Sequence, residues 1–290
     1  MISTPLLRKG PLTIDRIMQV IGRQESIKFK RRKRMVWKLK KLFKIAEKNF
    51  EQDFFGFKYK GNTHNHIDRY VYYFGAYERG MLHFIEETLR NSQEKIFIDI
   101  GANIGHHSLF ASKYAKQVFS FEPYHLVRTS IEEKIKDNNI KNITILPFAL
   151  GEKDEELTFF EPSDANTGTG SFVEGFMESN EDNGLKLQIK KGVDVFQELK
   201  INNVSLIKID TEGFEPAVLQ GLLPVLRKIK PTIIMEFSSG SDKNFEEKSE
   251  LKEFLKAEYD MFLLDNPNTI HYSLLPWNFD QYGEVVLKPR

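Results

Sequence analysis

The chain contains no cysteine, which excludes disulfides, thiolate zinc sites, iron–sulfur clusters and a cysteine nucleophile. It also lacks any apolar run approaching the ~18–20 residues that a bilayer-spanning helix needs. The N-terminal stretch is broken by Arg8, Lys9, Pro11, Asp15 and Arg16, so no signal-peptide core is expected and a soluble, cytoplasmic protein is predicted. An excess of either charge is missing too: 42 Lys+Arg stand against 41 Asp+Glu. With 24 Phe and 10 Tyr, that balance excludes a fully disordered chain. A length of 290 residues suits one large domain with an appendage, or two small domains.

The near-neutral total hides an asymmetry. From Lys28 to Lys44 there are ten basic residues and no acidic one, which leaves the rest of the chain at −9. Met35, Val36, Leu39, Leu42, Phe43 and Ala46 recur at helical spacing within this arm, with Trp37 at the border. Three partners are open for it: an anionic membrane surface contacted through residues 28–46, a docking face on the main domain, or nucleic-acid phosphates. A peripheral position at the inner face of a membrane follows from the first.

Three segments are expected: a basic helical extension over 1–50, a lead-in of hairpin and helix over 51–90, and a catalytic domain over 91–290. In the lead-in, two aromatic-rich runs flank Gly61-Asn-Thr-His-Asn and predict a hairpin, followed by a helix over about 77–89. From residue 95, apolar strands at 95–100, 117–122, 143–150, 204–210, 231–237 and 261–265 alternate with helices at about 105–115, 124–138, 213–228 and 246–258. This pattern predicts a parallel sheet covered on both faces. Residues 283–289 suggest a terminal edge strand, and 161–192 a functional loop or insertion.

The first strand runs into Asp99-Ile-Gly101-Ala-Asn103-Ile-Gly105, and the next ends in Glu122, 23 residues after Asp99. A glycine turn between strand and helix lets a ligand approach the backbone. An acidic residue about 20 positions on can accept both ribose hydroxyls of a nucleoside. The G-x-G-x-x-G turn of dinucleotide sites and the G-x-x-x-x-G-K-[ST] loop of ATP sites are both absent here. A cofactor with ribose, adenine and a charged amino-acid tail but no phosphate fits better, with Asp99 facing its ammonium. S-adenosyl-L-methionine has those parts.

The motifs DIGANIG (99–105), FEP (121–123), PFALGE (147–152), LIKIDTEGFEPAVLQG (206–221), KPTIIMEF (230–237) and FGAYERG (74–80) resemble the FkbM-type S-adenosylmethionine-dependent methyltransferases over about residues 60–290. The resemblance implies an α/β class I methyltransferase fold, a Rossmann-like and mostly parallel seven-stranded sheet with helices on both faces. It implies Gly101, Asn103 and Gly105 as the cofactor loop, Glu122 on the ribose, Phe148 and Ala149 along the adenine, and Asp210 and Glu212 beside the methyl group and acceptor. The one departure is Val193-Asp194, where the family usually has Leu-Asp. Family members act on sugar or glycolipid hydroxyls, so an O-methyltransferase is expected.

Asp210, Glu212 and Glu236 are the candidate proton acceptors, in that order, and no cluster has metal-ligand spacing, so no metal is expected. Lys208 is expected to pair with Asp210, Glu215 to cap its helix or compensate the helix dipole, and His106 and His107 to face solvent more readily than to act as bases. His64, His66 and His83 are expected to be ordinary surface or packing residues. A nucleic-acid methyltransferase is the alternative. It is disfavoured by Asp210-Thr-Glu-Gly, where an amino-group enzyme has (Asp/Asn/Ser)-Pro-Pro-(Tyr/Phe), and by the missing cysteine. A non-catalytic membrane-surface module is a third reading, against which the intact glycine turn and Glu122 argue.

Overall fold

The computed structural model describes residues 13–159 and 184–290. Most of the segment predicted as a long functional loop therefore lies outside the described residues. Its end is a strand, Leu185–Lys191.

The central sheet is built from β3 (Ile96–Ile100), β4 (Gln117–Phe121), β5 (Ile143–Leu146), β9 (Leu206–Ile209), β10 (Thr232–Phe237), β11 (Tyr259–Asp265), β12 (Ser273–Pro276) and β13 (Gly283–Pro289). Its spatial order is β12-β11-β13-β10-β9-β3-β4-β5. Strands β5, β4, β3, β9 and β10 are mutually parallel, and β13 runs antiparallel between β10 and β11. The first seven strands from the β5 edge have the class I methyltransferase order, and β12 adds an eighth at the opposite edge. The expected terminal edge strand is corrected: β13 is interior, which its apolar Val285, Val286 and Leu287, all fully buried, satisfy.

Alternation along these strands decides what each face sees. Ile98, Ile100, Ile207, Ile209, Ile233 and Met235 pack on α8 (Glu215–Ile229) and its neighbours α7 (Gly192–Glu198), α9 (Ser239–Glu246) and α10 (Ser249–Glu258). Phe97, Val118, Leu206, Ile234 and Val286 pack on α4 (Arg79–Asn91) and α5 (His106–Ala111). Helix α6 (His125–Asp137) follows β4. The predicted strand over 143–150 is two strands in two sheets. β6 (Ala149–Gly151) joins β8 (Leu185–Lys191) and β7 (Glu155–Phe159) in a separate three-stranded sheet.

The hairpin is placed differently from expectation. It consists of β1 (Asn49–Phe54) and β2 (Phe57–Asn62) around Phe55-Gly56. The second aromatic run is a helix, α3 (His66–Phe74). Asn65 caps it by accepting from the Asp68 backbone N–H, and Gly75 ends it in the left-handed conformation. These local caps and the burial of Tyr70, Tyr73 and Phe74 override the strand preference of aromatic residues.

The N-terminal arm forms α1 (Ile14–Arg23) and α2 (Phe29–Leu42), packed against α3. Met18, Val36, Tyr70, Tyr73 and Phe74 form a small core, joined by Phe29, Trp37 and Leu39. Gly22 permits the close crossing, because a Cβ there would lie 2.3 Å from the Tyr73 carbonyl oxygen. The predicted stripe is thus split. Val36 is fully buried, while Met35, Leu42 and Phe43 are exposed.

Candidate active site

The carboxyl ends of β3, β4, β9 and β10 open into one cavity of about 270 Å³. An open α/β sheet binds its ligands at this edge, where loops diverge and helix N-termini point inward.

The glycine turn forms one wall. Gly101 has φ +75°, and a Cβ there would lie 1.8 Å from the Asp210 carbonyl oxygen, so the two strand ends can meet only if residue 101 is glycine. Gly105, also left-handed, starts α5 but does not line the cavity; a Cβ there would press on Ile131. Three non-glycine residues lining the cavity, Glu78, Asn103 and Glu212, also adopt positive φ. Such strained backbone collects at ligand sites that the surrounding fold over-determines.

Glu122 ends β4 and lines the cavity as expected. One carboxylate oxygen accepts from the Asn103 N–H at 2.7 Å and the other from the Tyr124 N–H at 2.9 Å. Those two bonds aim the group and leave each oxygen one further acceptor position, enough for a pair of vicinal hydroxyls. Burial pushes its carboxyl up to about 7, against the pull of the two backbone donors.

Behind this wall lies a buried polar row. Asp99, Ser120 and Lys208 are register partners on β3, β4 and β9, and Asp99 is fully buried. The Asp99 carboxylate accepts from Ser108 Oγ and lies 3.6 Å from Lys208 Nζ. Asp99 does not line the cavity, so its expected place at the cofactor's ammonium is corrected: alternation along β3 turns it onto the α5 face. Phe148 is likewise withdrawn, packed against Phe121 under Lys190, while its neighbour Ala149 does line the cavity.

The opposite wall is acidic. Asp210, Glu212 and Glu236 each line the cavity, and ligand oxygens from all three lie within 4.8 Å of one another. Among the described residues they form the group whose spacing could hold a cation. Lys208 Nζ donates to Asp210 at 3.0 Å, the structural pair expected, and the two carboxylates it faces raise its pKa despite its burial. Burial and then the Asp210 charge push Glu212 up to about 8 and Glu236 up to about 9.

Sequence reasoning missed four further residues here. Glu284 on β13 is the register partner of Glu236, and burial followed by Glu78 and Asp210 holds its carboxyl well above the usual range. Glu78 directly precedes α4, with its carboxylate 3.2 Å from His107 Nε2. Tyr77 and His66 complete the rim. Glu78 lies in the quoted segment FGAYERG, which was the available signal; nothing local marked Glu284. His106 and His107 are buried, at 1% and 5% exposed, contrary to the solvent-facing expectation. The His106 ring nitrogen meets the Tyr77 carbonyl, and burial lowers its pKa far below normal. Glu215, in the first turn of α8, is also fully buried: it accepts from Thr211 and Gly213 N–H groups and from Ser241 Oγ, pinning the 210–213 loop.

A glycine-lined turn, a carboxylate with two open acceptor positions and an acidic far wall suit a nucleoside ligand that carries positive charge. S-adenosylmethionine, with its sulfonium and ammonium, is such a ligand, and Gly101, Asn103 and Glu122 are the residues that would hold it. Fold and site together fit an S-adenosylmethionine-dependent methyltransferase domain. The FkbM methyltransferase domain matches residues 99–262, and the chain belongs to that family.

A hexuronic acid methyltransferase of Haloferax volcanii, AglP, is 25% identical over 168 residues, covering 57% of this chain and 65% of the relative, less than two thirds of its length. Among solved structures, the FkbM methyltransferase of Methylobacillus flagellatus KT superposes with TM-score 0.43 and 15% identity, over 67% of this chain and 43% of that one. SMU.1697c of Streptococcus mutans, a putative methyltransferase solved with S-adenosylhomocysteine, gives TM-score 0.41 and 14% identity, over 73% and 98%.

Proposed function

We propose that this protein methylates a hydroxyl oxygen of a sugar, glycolipid or related small acceptor. One observation carries the reading: the carboxyl groups of Asp210, Glu212 and Glu236 share a cavity with Gly101, Asn103 and Glu122. A proton-accepting cluster therefore stands beside a nucleoside cradle. The name of the Haloferax relative supports a saccharide acceptor.

Bound S-adenosylmethionine supplies an electrophilic methyl group, and the chain's residues have two tasks. The first is to hold the acceptor oxygen in line, for which the rigid strand ends and the Glu215-pinned loop are suited. The second is to take the hydroxyl proton. A general base works best with a pKa near the working pH. Glu212 at about 8 and Glu236 at about 9 are near that range, whereas Asp210 is engaged by Lys208. Positive charge in the cavity favours the ionised form of both glutamates. We therefore assign the base to Glu212 or Glu236 and an electrostatic role to Asp210.

The test is methyl transfer from radiolabelled S-adenosylmethionine to a panel of hexosides and hexuronides. Label in an alkali-stable ether is expected, and Glu212→Gln or Glu236→Gln should lower turnover about 100-fold while S-adenosylhomocysteine still binds. Alkali-labile label would indicate a carboxyl ester and overturn the hydroxyl assignment.

A further inference from the structure

A second groove, of about 480 Å³, lies between α2 and α3. Lys33, Trp37, Lys41, His66, Arg69 and Tyr70 line it, and that volume is in the range of small-molecule sites. Lys40 also borders it but is taken up by Glu47 at 2.6 Å. Lys33, Lys41 and Arg69 form no salt bridge among the described residues, although Glu47 also feels the Arg69 charge. Lys33 sits over the Tyr70 ring at 5.4 Å and Arg69 over Trp37 at 5.8 Å. The aromatic floor thus positions Lys33 and Arg69 toward the groove without a salt bridge to either.

This groove meets the active-site cavity at His66, which lines both. His66 stands on a charge boundary: burial, then Arg69 and Lys33, lower its pKa, and Glu78 from the cavity side opposes them. On one side the cavity holds the carboxyl groups of Glu78, Asp210, Glu212, Glu236 and Glu284. Among the described residues no Lys or Arg lines that cavity, so an anionic group on the acceptor finds no cationic partner there. The adjoining groove offers the cations it needs.

We propose that the basic arm is an acceptor subsite: the groove between α2 and α3 binds an anionic group, carboxylate or phosphate, on the saccharide whose hydroxyl enters the cavity. The proposal rests on the methyltransferase reading above and specifies its substrate class. Guanidinium and ammonium groups recognise both anions by charge-assisted hydrogen bonds. The two opposed fields on either side of His66 orient the acceptor, anion outward and hydroxyl inward.

The full chain is titrated with tetragalacturonate, glucose 1-phosphate and neutral maltotetraose, following tryptophan emission, with Trp37→Phe as the control for groove occupancy. Both anionic sugars, or one of them, should bind at least tenfold more tightly than maltotetraose, and the pair of results tells carboxylate from phosphate. Lys33→Gln combined with Arg69→Gln should weaken that binding at least tenfold, while S-adenosylhomocysteine affinity stays within twofold and the melting temperature holds. Equal binding of neutral and charged sugars, no loss in the double variant, or no saccharide binding at all overturns the subsite. So does binding of vesicles containing anionic phosphatidylglycerol without saccharide binding, which would assign the arm to a membrane. Failure here with S-adenosylhomocysteine still bound leaves the cofactor site standing. Anionic sugars bound in the groove with no methyl transfer would instead retain the subsite and remove the proposed reaction.

Discussion

The two sides of His66 handle charge in opposite ways. In the cavity, Asp210, Glu212, Glu236, Glu284 and Glu78 converge from four separate parts of the chain, where burial and mutual repulsion push three of them far toward the neutral form. In the groove, Lys33 and Lys41 come from α2 and Arg69 from α3, and Lys41 and Leu42 face solvent. Solvated like charges cost little; buried ones cost much unless something compensates. The acidic wall is therefore held together by the fold against its own electrostatics, whereas the basic wall, formed where α2 packs on α3, leaves Lys41 in solvent. Lys208 shows the compensation at work, shared between Asp99 and Asp210.

Substitutions can break this contrast, beginning where the fold forces the acidic wall together. Gly101→Ala should cost about 3 kcal/mol of stability, from the Asp210 carbonyl contact and the positive φ. It should also abolish cofactor binding; thermal melting and calorimetry would measure both, and a normal variant would show that the strand ends can separate. Glu122→Ala should weaken S-adenosylmethionine binding by roughly 1.5–3 kcal/mol, the range for hydrogen bonds to a charged acceptor. Unchanged affinity would remove Glu122 from the ribose. Asp210→Asn keeps shape and removes charge, so turnover should fall at least about tenfold, read from initial rates across pH. Wild-type rates would confine Asp210 to pairing with Lys208.

Glu236→Gln tests the frustration directly. Its carboxyl lies near 9 in the folded chain against about 4.5 unfolded, so its contribution to stability is present below about pH 4.5 and is lost as pH rises through about 9. The glutamine variant escapes that loss. Its melting temperature relative to wild type should climb between pH 5 and pH 9 by an amount on the order of 2–4 °C, for each kcal/mol in a domain of this size. A constant difference across that range would mean the cluster is relaxed. The smallest effect belongs to the basic side: Leu42, 67% exposed, should tolerate serine within about 0.5 kcal/mol. A larger drop would show that the arm packs through its outer stripe.

Much of the central sheet was legible because its signals are local. Continuous apolar runs mark β3, β4, β9 and β10, and glycines 101 and 105 sit where only a left-handed turn joins strand to helix. Glu122 follows from its spacing to the turn. The α3 segment misled because Tyr70, Val71, Tyr72 and Tyr73 favour strands locally, while Asn65, Gly75 and the partners in α1 and α2 make the helix. Asp99 misled differently: one step of strand alternation separates a cavity residue from a buried one.

By itself, the sequence determined the strand–turn–helix units, the glycine turn with its acidic partner Glu122, and the uneven placement of charge, since each depends on residues close in the chain. Tertiary structure alone decided that β13 inserts antiparallel beside β10, bringing Glu284 opposite Glu236, and that α2 lies against α3. It also decided that His66 joins the acidic cavity to the basic groove. These depend on which surfaces bury one another across long separations, and no spacing along the chain encodes that pairing.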